Sequence, residues 1–420
     1  MKTAKKFIHQ VTLFLFWLCS ALVLKALPRR TNESYRVILI TADSQGLIGS
    51  RGDAAMLEGA LDQIRSNGND VEIYIACATN NATKIAKDLG CKPFDVWGGI
   101  FMPFYFLKSI LAIKPTAGLI MGADIMDGHY SPVTSLRMII SADLIARYCG
   151  ISRFLGFSLN TSIAPLVKIG FRQLSKQVQV NLRDPLSFER HRTIAGNTGN
   201  LVADTAFLLE PAEPGDIARA ALDWINDQRK KGRIVLGVNF HPMLFAKDEA
   251  RVSTQKLANA VIRAMQEAQN MASVSWLLVP HDDRMEAGDM STLEMLEAQL
   301  PANVNTNSYR IISPPSAGEL KTIAGALDGV ITGRMHLAIA SLGQGVPVLT
   351  FAYQGKFEGL MKHFAFPEWV VVPPNEVLDN EKLVDIFQQF ITNLPELKTQ
   401  LDSRLPAVLA ATRSTFKGLQ

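Results

Sequence analysis

The sequence contains few cysteines and no long run of like charges. Its four cysteines form no Cys-x-x-Cys pair and have none of the spacings of zinc ligands; they are Cys19, Cys77, Cys91 and Cys149. This pattern disfavours a structural metal site and favours core or free thiols over disulfides, as in a reducing compartment. The net charge is +4 over 420 residues, and no Lys/Arg-rich run is present. Nucleic-acid binding is therefore disfavoured, and we expect any anionic ligand to be bound by a local pocket.

The common glycine-rich nucleotide fingerprints are also missing. The loop after the apolar run RVILIT (36–41) reads ADSQGLIGSRGDAAM, which is neither G-x-G-x-x-G nor a Walker sequence. Gly49 and Gly52 nonetheless permit close approach of the backbone, and Arg51 stands at the start of the helix that follows. The exposed N–H groups of such a helix start suit an anion. A tight turn closed by a capping Asp53 explains the same residues.

Short runs rich in Val, Ile and Leu alternate with helical stretches from residue 35 onward. RVILIT is followed by VEIYIAC (71–77) and AGLIMGA (117–123), with helical segments between them. Uninterrupted apolar strands that alternate with helices are typical of parallel sheets covered on both faces. The chain closes with two predicted helices, at roughly 379–393 and 396–418.

The length of the chain predicts two domains, because a single hydrophobic core stops growing below this size. A Pro/Gly-rich stretch, PAEPGD (211–216), marks the expected boundary, and the strand–helix alternation restarts after it. We therefore predict an α/β fold with two doubly wound, Rossmann-like domains, 31–210 and 211–420, that face a cleft. Ligands of such sheets bind beyond the carboxyl ends of the strands. Polar residues just after each apolar run are therefore the candidate site residues.

The N-terminal 30 residues form a separate hydrophobic segment. Residues 11–24 carry no charge, and a stretch from 7 to 27 is long enough to span a membrane if its polar ends snorkel. We predict a retained anchor or a membrane-surface helix over 1–30; a cleaved signal peptide is the alternative. Basic residues flank both ends, so the positive-inside rule leaves the topology open. They are Lys2, Lys5 and Lys6 on one side and Lys25, Arg29 and Arg30 on the other.

Two groups of polar residues follow strands in the first predicted domain. Asp124, Asp127 and His129 come after AGLIMGA and could bind a divalent metal or transfer protons, although turn formation explains the Asp-Gly pair equally well. Arg183 follows a later strand and could bind a carboxylate or phosphate in bidentate fashion, or pair with its neighbour Asp184. Asp204 lies within an apolar stretch, as a cap or as a polar group that faces the cleft.

The most specific group lies in the second predicted domain. In ITGRMHLAIASLGQGVPVLTFAYQGK (331–356), Arg334 and His336 occupy the first turn of a helix that follows a strand. The helix dipole there favours an anion and lowers the pKa of a nearby imidazole. Lys356 follows the next strand and can reach the same rim of the sheet. These residues indicate an oxyanion or phosphate site with its own acid/base; solvated cations beside a structural histidine are the alternative. His241 and His281 also follow strands in this domain.

Two stretches of the chain resemble one enzyme family. GSRGDAAMLEGALDQIR (49–65) and the segment from ITGRMHLAIAS to AYQGK are similar to the opening and closing motifs of the polysaccharide pyruvyl transferases, in particular the bacterial colanic-acid type. The resemblance extends over most of residues 36–400. Met335 replaces the usual Leu between Arg and His, and Gly122-Ala123-Asp124 stands where relatives have a Gly-Gly segment.

This resemblance implies a GT-B-like fold and a transferase that uses phosphoenolpyruvate to place a pyruvate ketal on two hydroxyls of a sugar in cell-surface polysaccharide biosynthesis. It implies no metal or other cofactor. The cations expected on the donor are Arg334, Lys356, Arg183 and Arg51, with the backbone at Gly52. His336 is the expected acid/base, with Asp53 or Asp124 as a second proton carrier.

The resemblance also implies where the protein works. Phosphoenolpyruvate is cytosolic, so the catalytic domains of a bacterial enzyme should face the cytoplasm while the N-terminal segment holds them near lipid-linked acceptors. A eukaryotic enzyme would instead be a Golgi type II protein. Two other functions fit the same fold. One is a GT-B glycosyltransferase with a nucleotide-sugar donor, whose ribose Asp282, Asp283 or Glu358 would bind. The other is a non-catalytic scaffold tethered to the membrane.

Overall fold

The structure is a computed structural model that describes residues 2–27, 34–66, 70–95, 99–196, 199–245, 249–282, 288–352 and 355–419. Its contacts divide the chain into two units. The first holds the residues up to Gly49, Met56–Thr205 and the residues from Ala410; the second holds Ser50–Ala55 and Ala206–Leu409. The division at Thr205 therefore precedes the expected boundary at 210. In addition, the chain after Ala410 belongs to the first unit, whereas the sequence placed it in the second.

The first unit is built on a seven-stranded sheet in which every strand pair is parallel. Its strands follow the order β3-β2-β1-β4-β5-β6-β7. The order reverses between β1 and β4, and doubly wound sheets bind their ligands at such a reversal. The strands are β1 (Arg36–Ile40), β2 (Glu72–Ala76), β3 (Lys92–Phe94), β4 (Ala117–Met121), β5 (Ser152–Leu155), β6 (Val178–Leu182) and β7 (Gly199–Leu201).

Helices connect these strands, and two of them begin at a side-chain cap that is followed by a proline. Ser131 accepts a hydrogen bond from the Thr134 amide at 3.2 Å, and Asp184 accepts one from the Ser187 amide at 2.8 Å; a proline follows each cap. The helices are α1 (Lys2–Ala26), α2 (Arg51–Ser66), α3 (Asn80–Asp88), α4 (Met102–Ile113), α5 (Pro132–Cys149), α6 (Pro165–Gln173) and α7 (Pro185–Ala195), with a 3₁₀ turn at Gly99–Phe101. The first turn of α2 belongs to the second unit.

The N-terminal apolar helix, α1, is packed into the first unit. Leu13, Trp17 and Leu24 are almost fully buried in the same core as side chains of α4 and α5. The indole Nε1 of Trp17 donates to Oδ2 of the buried Asp143 in α5 at 2.7 Å. By length and composition, residues Ile8–Ala26 could cross a membrane. One side of this helix is nevertheless part of the core.

The second unit contains a six-stranded parallel sheet in the order β10-β9-β8-β11-β12-β13. The order again reverses at the centre, between β8 and β11. The strands are β8 (Ile234–Asn239), β9 (Val274–Leu278), β10 (Ser308–Arg310), β11 (Gly329–Thr332), β12 (Val348–Phe351) and β13 (Val371–Val372). The helices are α8 (Asp216–Lys230), α9 (Ala250–Met271), α10 (Met290–Ala298), α11 (Ala302–Asn305), α12 (Ala317–Gly325), α13 (Met335–Gly343), α14 (Phe357–Phe364) and α15 (Asn380–Ser414).

The last helix corrects one prediction. The two expected helices, 379–393 and 396–418, are a single helix α15 that contains Pro395 and Pro406. A proline inside a helix removes one hydrogen bond and crowds the preceding turn. Buried apolar side chains continue past Pro395, at Leu394, Leu397 and Leu401, and this packing offsets the local cost. The predicted fold class is confirmed: two parallel-sheet α/β units with an N-terminal apolar helix.

Candidate functional site

The second unit presents Arg334 and His336 where β11 becomes α13. Thr332 ends the strand, and its hydroxyl accepts a hydrogen bond from the Arg334 amide at 2.9 Å. Arg334 is the residue before the helix and has extended backbone angles (φ −97°, ψ 117°). His336 is the second residue of α13. The N–H groups of a first helical turn have no partner within the helix, so this position favours a negatively charged ligand.

Two carboxylates hold the buried Arg334 guanidinium. Asp289 accepts from Nε at 2.8 Å and from Nη2 at 2.5 Å through the same oxygen, Oδ1. Asp282 lies 3.2 Å from Nη1. An arginine held on several of its nitrogens has a fixed plane, which is how arginine achieves directional recognition of phosphate and carboxylate groups. The structure therefore places the predicted cation Arg334 in a defined orientation.

Asp289 was not found by sequence analysis. Its second oxygen, Oδ2, accepts hydrogen bonds from the Asn239 side chain at 2.8 Å and from the amides of His281 and Asp282 at 2.9 and 3.1 Å. Burial raises the pKa of Asp289, and Arg334 opposes that rise. In the sequence this residue stands just before α10 and has the appearance of an ordinary helix cap. Only the fold brings it to the carboxyl end of β11.

Two neutral imidazoles border Arg334. Nε2 of His241 lies 3.0 Å from the carbonyl oxygen of Gly333. Burial holds the pKa of His241 well below its ordinary value, and the positive charges of Arg334 and Lys356 lower it further. Burial also holds the pKa of His281 well below its ordinary value, with contributions from Arg334, His336 and Arg51. The charge of Arg334 thus lowers the pKa of both imidazoles. Lys356 contributes at His241, and Arg51 contributes at His281.

Lys356 is the residue before α14 and is almost fully buried. Its positive charge makes a minor contribution to the lowered pKa of His241. Its predicted role as a ligand of the donor stays a prediction. Tyr353 and Gln354, within the predicted AYQGK motif, lie outside the described residues, as does Asp283. Glu358 lies in the first turn of α14, close in the chain to Lys356.

The first turn of α2 belongs to the same unit as His336. A Cβ atom added to Gly52 would lie 2.2 Å from Nδ1 of His336, so a side chain at position 52 has no room. Arg51 donates from Nε to the carbonyl of Pro315 at 2.8 Å and from Nη2 to that of Pro314 at 3.1 Å. Arg51, His281 and His336 line one small cavity. The predicted glycine-rich loop therefore meets the Arg-Met-His turn.

Ser50, not Asp53, caps this helix start. The hydroxyl of Ser50 accepts from the Asp53 amide at 3.2 Å and donates to Oδ2 of Asp53 at 2.8 Å. Asp53 is the third residue of α2, so the predicted capping residue is corrected by one turn. The role of Asp53 in proton transfer stays a prediction.

The first unit holds a separate polar cluster at the carboxyl end of β6. Arg183 is buried; its Nη1 donates to Oδ2 of Asp204 at 2.7 Å and its Nε to the hydroxyl of Ser158 at 2.6 Å. Burial lowers the pKa of Arg183, but Asp204 and Asp124 outweigh it, so the net pKa is raised. Asp184 caps α7 and also accepts from Ser158 at 3.1 Å. Arg183 thus forms an ion pair with Asp204, and the charge of the adjacent Asp184 also raises its pKa.

Asp124 and Asp127 follow β4, at the reversal of the first sheet. Asp127 is buried and accepts from the His129 amide at 2.7 Å and from the Asn160 side chain at 2.7 Å. This is the turn chemistry that sequence analysis gave as the alternative to a metal site. Asp124 is half-buried and close enough to Arg183 to affect its pKa.

The predicted site residues therefore fall into two groups. Arg51, Gly52, Asp53, Arg334, His336 and Lys356 lie in the second unit, and Asp124 and Arg183 lie in the first. The sequence profile of the family described as polysaccharide pyruvyl transferase matches residues 51–355, from the glycine-rich turn to the loop before Lys356. The chain belongs to this family. The resemblance predicted from the two motifs is confirmed.

Among curated proteins, this pyruvyl transferase family member is similar to the amylovoran biosynthesis protein AmsJ of Erwinia amylovora. The two are 24% identical over an alignment of 254 residues, which covers 54% of this chain and 59% of AmsJ. The chain thus spans less than two thirds of the length of that relative.

Solved structures share the fold with this family member at low sequence identity. UDP-GlcNAc 2-epimerase from Neisseria meningitidis matches with a TM-score of 0.54 and 10% identity, over 91% of this chain and 99% of the epimerase. A UGT transferase from Siraitia grosvenorii matches with a TM-score of 0.53 and 10% identity, over 91% and 98% of the two chains. Both likenesses concern the GT-B-like fold alone.

Proposed function

We propose that this chain transfers pyruvate from phosphoenolpyruvate to two hydroxyls of one sugar, as a ketal, during polysaccharide biosynthesis. One observation carries the proposal: Arg334 and His336 flank the N-terminus of α13, and Arg51 lines one cavity with His336 and the buried His281. Phosphoenolpyruvate has a phosphate and a carboxylate, which require several directed cations. Family membership and the amylovoran-related relative support the polysaccharide context.

The reaction adds two hydroxyl oxygens to one carbon and releases phosphate. One sugar hydroxyl adds to C2 of phosphoenolpyruvate while C3 takes up a proton and becomes a methyl group. The C–O bond to phosphate then breaks, and the second hydroxyl adds to the same carbon. Of the two hydroxyl protons, one balances the proton taken up by C3 and the other leaves with phosphate. The protein must therefore move protons and stabilise a departing phosphate.

His336 is the proposed proton carrier of this reaction. It is half-buried at the start of α13 and lines the same cavity as Arg51 and His281. His281 is held neutral by its surroundings, so it adds no positive charge beside His336. Asp53 is the proposed second carrier in this unit, and Asp124 is the corresponding candidate in the first unit.

Arg334, Lys356 and Arg51 are the proposed ligands of the donor in the second unit, with the backbone at Gly52. Arg334 is oriented by Asp289 and Asp282, so its guanidinium has a fixed direction. Arg183 is the proposed cation of the first unit. Because Asp204 and Asp124 surround it, its buried charge is compensated before a ligand arrives.

We also propose the cellular setting. The donor is cytosolic, so the two units would face the cytoplasm, and the acceptor would be a glycan or lipid-linked sugar at the membrane. The N-terminal helix α1 would hold the protein there. Its length and apolar composition support this attachment.

The proposal is tested by incubating the purified full-length protein with phosphoenolpyruvate and a panel of lipid-linked and aryl sugars. We expect phosphate release that depends on the acceptor and a matching mass gain on the sugar. The same panel is offered with nucleotide sugars in place of phosphoenolpyruvate. Turnover of a nucleotide sugar, without acceptor-dependent phosphate release, would show that the protein is a glycosyltransferase instead. Asp282, one candidate to bind a ribose, already contacts Arg334, which favours pyruvyl transfer.

A further inference from the structure

Helix α1 leaves a row of large apolar side chains exposed on the side opposite its buried stripe. Ile8, Leu15, Leu18 and Leu22 are exposed, and Leu22 retains 67% of its accessible surface. Positions seven, ten and fourteen residues beyond Ile8 fall within roughly 80° of it around a helix. These side chains therefore form one continuous stripe along the outer face of α1.

The 3₁₀ turn at Gly99–Phe101 and helix α4 extend this stripe. Phe101, Phe104, Tyr105 and Leu111 are exposed. Phe16 of α1 stacks on Phe101 with ring centroids 5.3 Å apart and meets Phe104 at 5.0 Å. The two sets of side chains are therefore joined. We call them the α1–α4 surface: Ile8, Leu15, Phe16, Leu18, Leu22, Phe101, Phe104, Tyr105 and Leu111.

The two helices that form this surface carry positive charges and no negative ones. Neither α1 nor α4 contains an aspartate or glutamate. Lys25 near the end of α1 and Lys108 in α4 are exposed, and the sequence of α1 begins with Lys2, Lys5 and Lys6. Apolar and aromatic side chains bordered by lysines suit a bilayer interface with anionic headgroups. A large exposed apolar area otherwise destabilises a protein in water.

The opposite side of α1 is fixed to the first unit. Asp143 is fully buried and accepts hydrogen bonds from Trp17 Nε1 at 2.7 Å, Arg147 Nε at 2.6 Å and the Ser175 amide at 2.8 Å. If α1 left the unit to cross a bilayer, Asp143 would lose a donor in the core, and the apolar cover of α4 and α5 would be removed. A buried carboxylate that loses a hydrogen-bond donor destabilises the fold.

We propose that α1 stays docked on the first unit and lies in the plane of the membrane, so that the α1–α4 surface rests on an anionic bilayer and no segment of α1 crosses it. The inference refines the membrane attachment proposed above and does not depend on pyruvyl transfer.

Vesicle flotation tests the surface. The full-length protein should float with vesicles of phosphatidylglycerol and phosphatidylcholine, and binding should weaken at high salt. The double variants Leu18→Glu/Leu22→Glu in α1 and Phe104→Ser/Tyr105→Ser in α4 should each lower binding at least tenfold, because both helices contribute to the surface. Val252→Glu, at an exposed apolar site in α9, is the matched control and should bind as the wild type does. Loss of binding by the α1 pair alone would overturn the composite surface.

The depth of α1 distinguishes an in-plane helix from a spanning one. Cys19 is exposed and provides a native labelling site. Labels at Cys19, at Ile8→Cys and at Phe104→Cys (the last two in a Cys19→Ser background) should be quenched equally by spin-labelled lipids at one shallow depth. In a spanning helix, positions 8 and 19 would differ in depth by about 16 Å, since each residue rises about 1.5 Å. Such a difference would overturn the proposal.

Two further readouts separate this inference from the proposed function. The wild-type protein could instead fail to bind vesicles and form a dimer that the same α1 and α4 substitutions disrupt. That result would show that a second copy covers the surface, and it would overturn membrane docking. Phosphate release with a water-soluble aryl sugar should be unchanged in the surface variants. If pyruvyl transfer itself fails, the flotation and depth results keep their meaning.

Discussion

At the scale of single residues, His336 and Arg334 carry different parts of the proposed reaction. His336→Ala should lower kcat about 10²- to 10⁴-fold, the usual contribution of an acid/base group, with little change in donor affinity.

Arg334→Lys keeps the charge but loses the directed contacts, so it should weaken phosphoenolpyruvate binding as well as turnover. Steady-state kinetics and calorimetric titration of the donor measure the two effects. The exposed Arg219→Ala is the control. Full activity of His336→Ala would remove it from the mechanism.

Asp289 acts through Arg334 and is therefore a positioning residue. Asp289→Asn would place an amide where the carboxylate accepts from the guanidinium, Asn239 and two backbone amides. Breaking one side of a buried ion pair costs about 3–5 kcal/mol. We expect a lower unfolding free energy and a raised KM for phosphoenolpyruvate.

Asp282→Asn is the matched comparison for this prediction, because Asp282 lies 3.2 Å from Nη1 of Arg334, whereas Asp289 accepts from both Nε and Nη2 at shorter distances. It should cause a smaller change in both quantities, as measured by urea unfolding and by KM. An Asp289→Asn protein that is destabilised but has an unchanged KM would leave Asp289 a purely structural role.

At the scale of elements, the site depends on the close approach of the first turn of α2, at Gly52, and the first turn of α13, at His336. Gly52→Ala introduces a Cβ that overlaps the His336 ring. The ring or the helix must then move, and a displacement of about 1 Å in a catalytic group can cost about a hundredfold in rate. We expect a large loss of kcat with only a modest loss of thermal stability.

The interaction can be isolated by a double-mutant cycle. His336→Ala removes the atoms that the new Cβ would meet, so Gly52→Ala should have no further effect on stability in that background. Gly170→Ala in α6, where the nearest atoms are a flexible isoleucine side chain at 3.3 Å, is the control and should retain full activity. Additive effects of the two substitutions would show that position 52 and His336 act independently.

Elements with strong apolar signals could be predicted from the sequence, and weak or context-dependent ones could not. RVILIT and AGLIMGA became β1 and β4 because buried parallel strands need continuous apolar runs. β3, KPF, is a three-residue edge strand, too short for a pattern. The continuous helix α15 could not be foreseen either, since only its packing overrides the two prolines. The Arg-Met-His turn was predictable because its residues adjoin a strand end; Asp289 was not, because its contact with Arg334 spans 45 residues.

At the scale of the whole molecule, the division into units departs from the linear order of the sequence. Ser50–Ala55 belongs to the second unit and the residues from Ala410 belong to the first. A Pro/Gly-rich boundary signal is local and reports only where one sheet ends and another begins. It carries no information about segments that return to the other unit. The family motif around Gly52 was therefore assigned to the first domain by sequence and to the second unit by its contacts.

Stability of both units should depend on pH through buried imidazoles. His191 in α7 is almost fully buried, 5.4 Å from the Phe171 ring, and burial lowers its pKa from 6.5 to about 4. Between these values the unfolded chain binds a proton that the folded chain does not, so the unfolding free energy falls as the pH drops from about 6.5 to about 4. His241 and His281 act in the same direction in the second unit.

For His191 alone, the shift corresponds to at most about 3–4 kcal/mol across that window, at about 1.4 kcal/mol per pKa unit. Urea unfolding followed by circular dichroism at a series of pH values measures it. His191→Met fills a similar volume without titrating, so it should remove part of the acid sensitivity of the first unit and leave that of the second unchanged. A matched His129→Gln change, at an exposed histidine, should leave the slope unaltered. An unchanged slope in His191→Met would mean that protonation of other groups destabilises the first unit in acid.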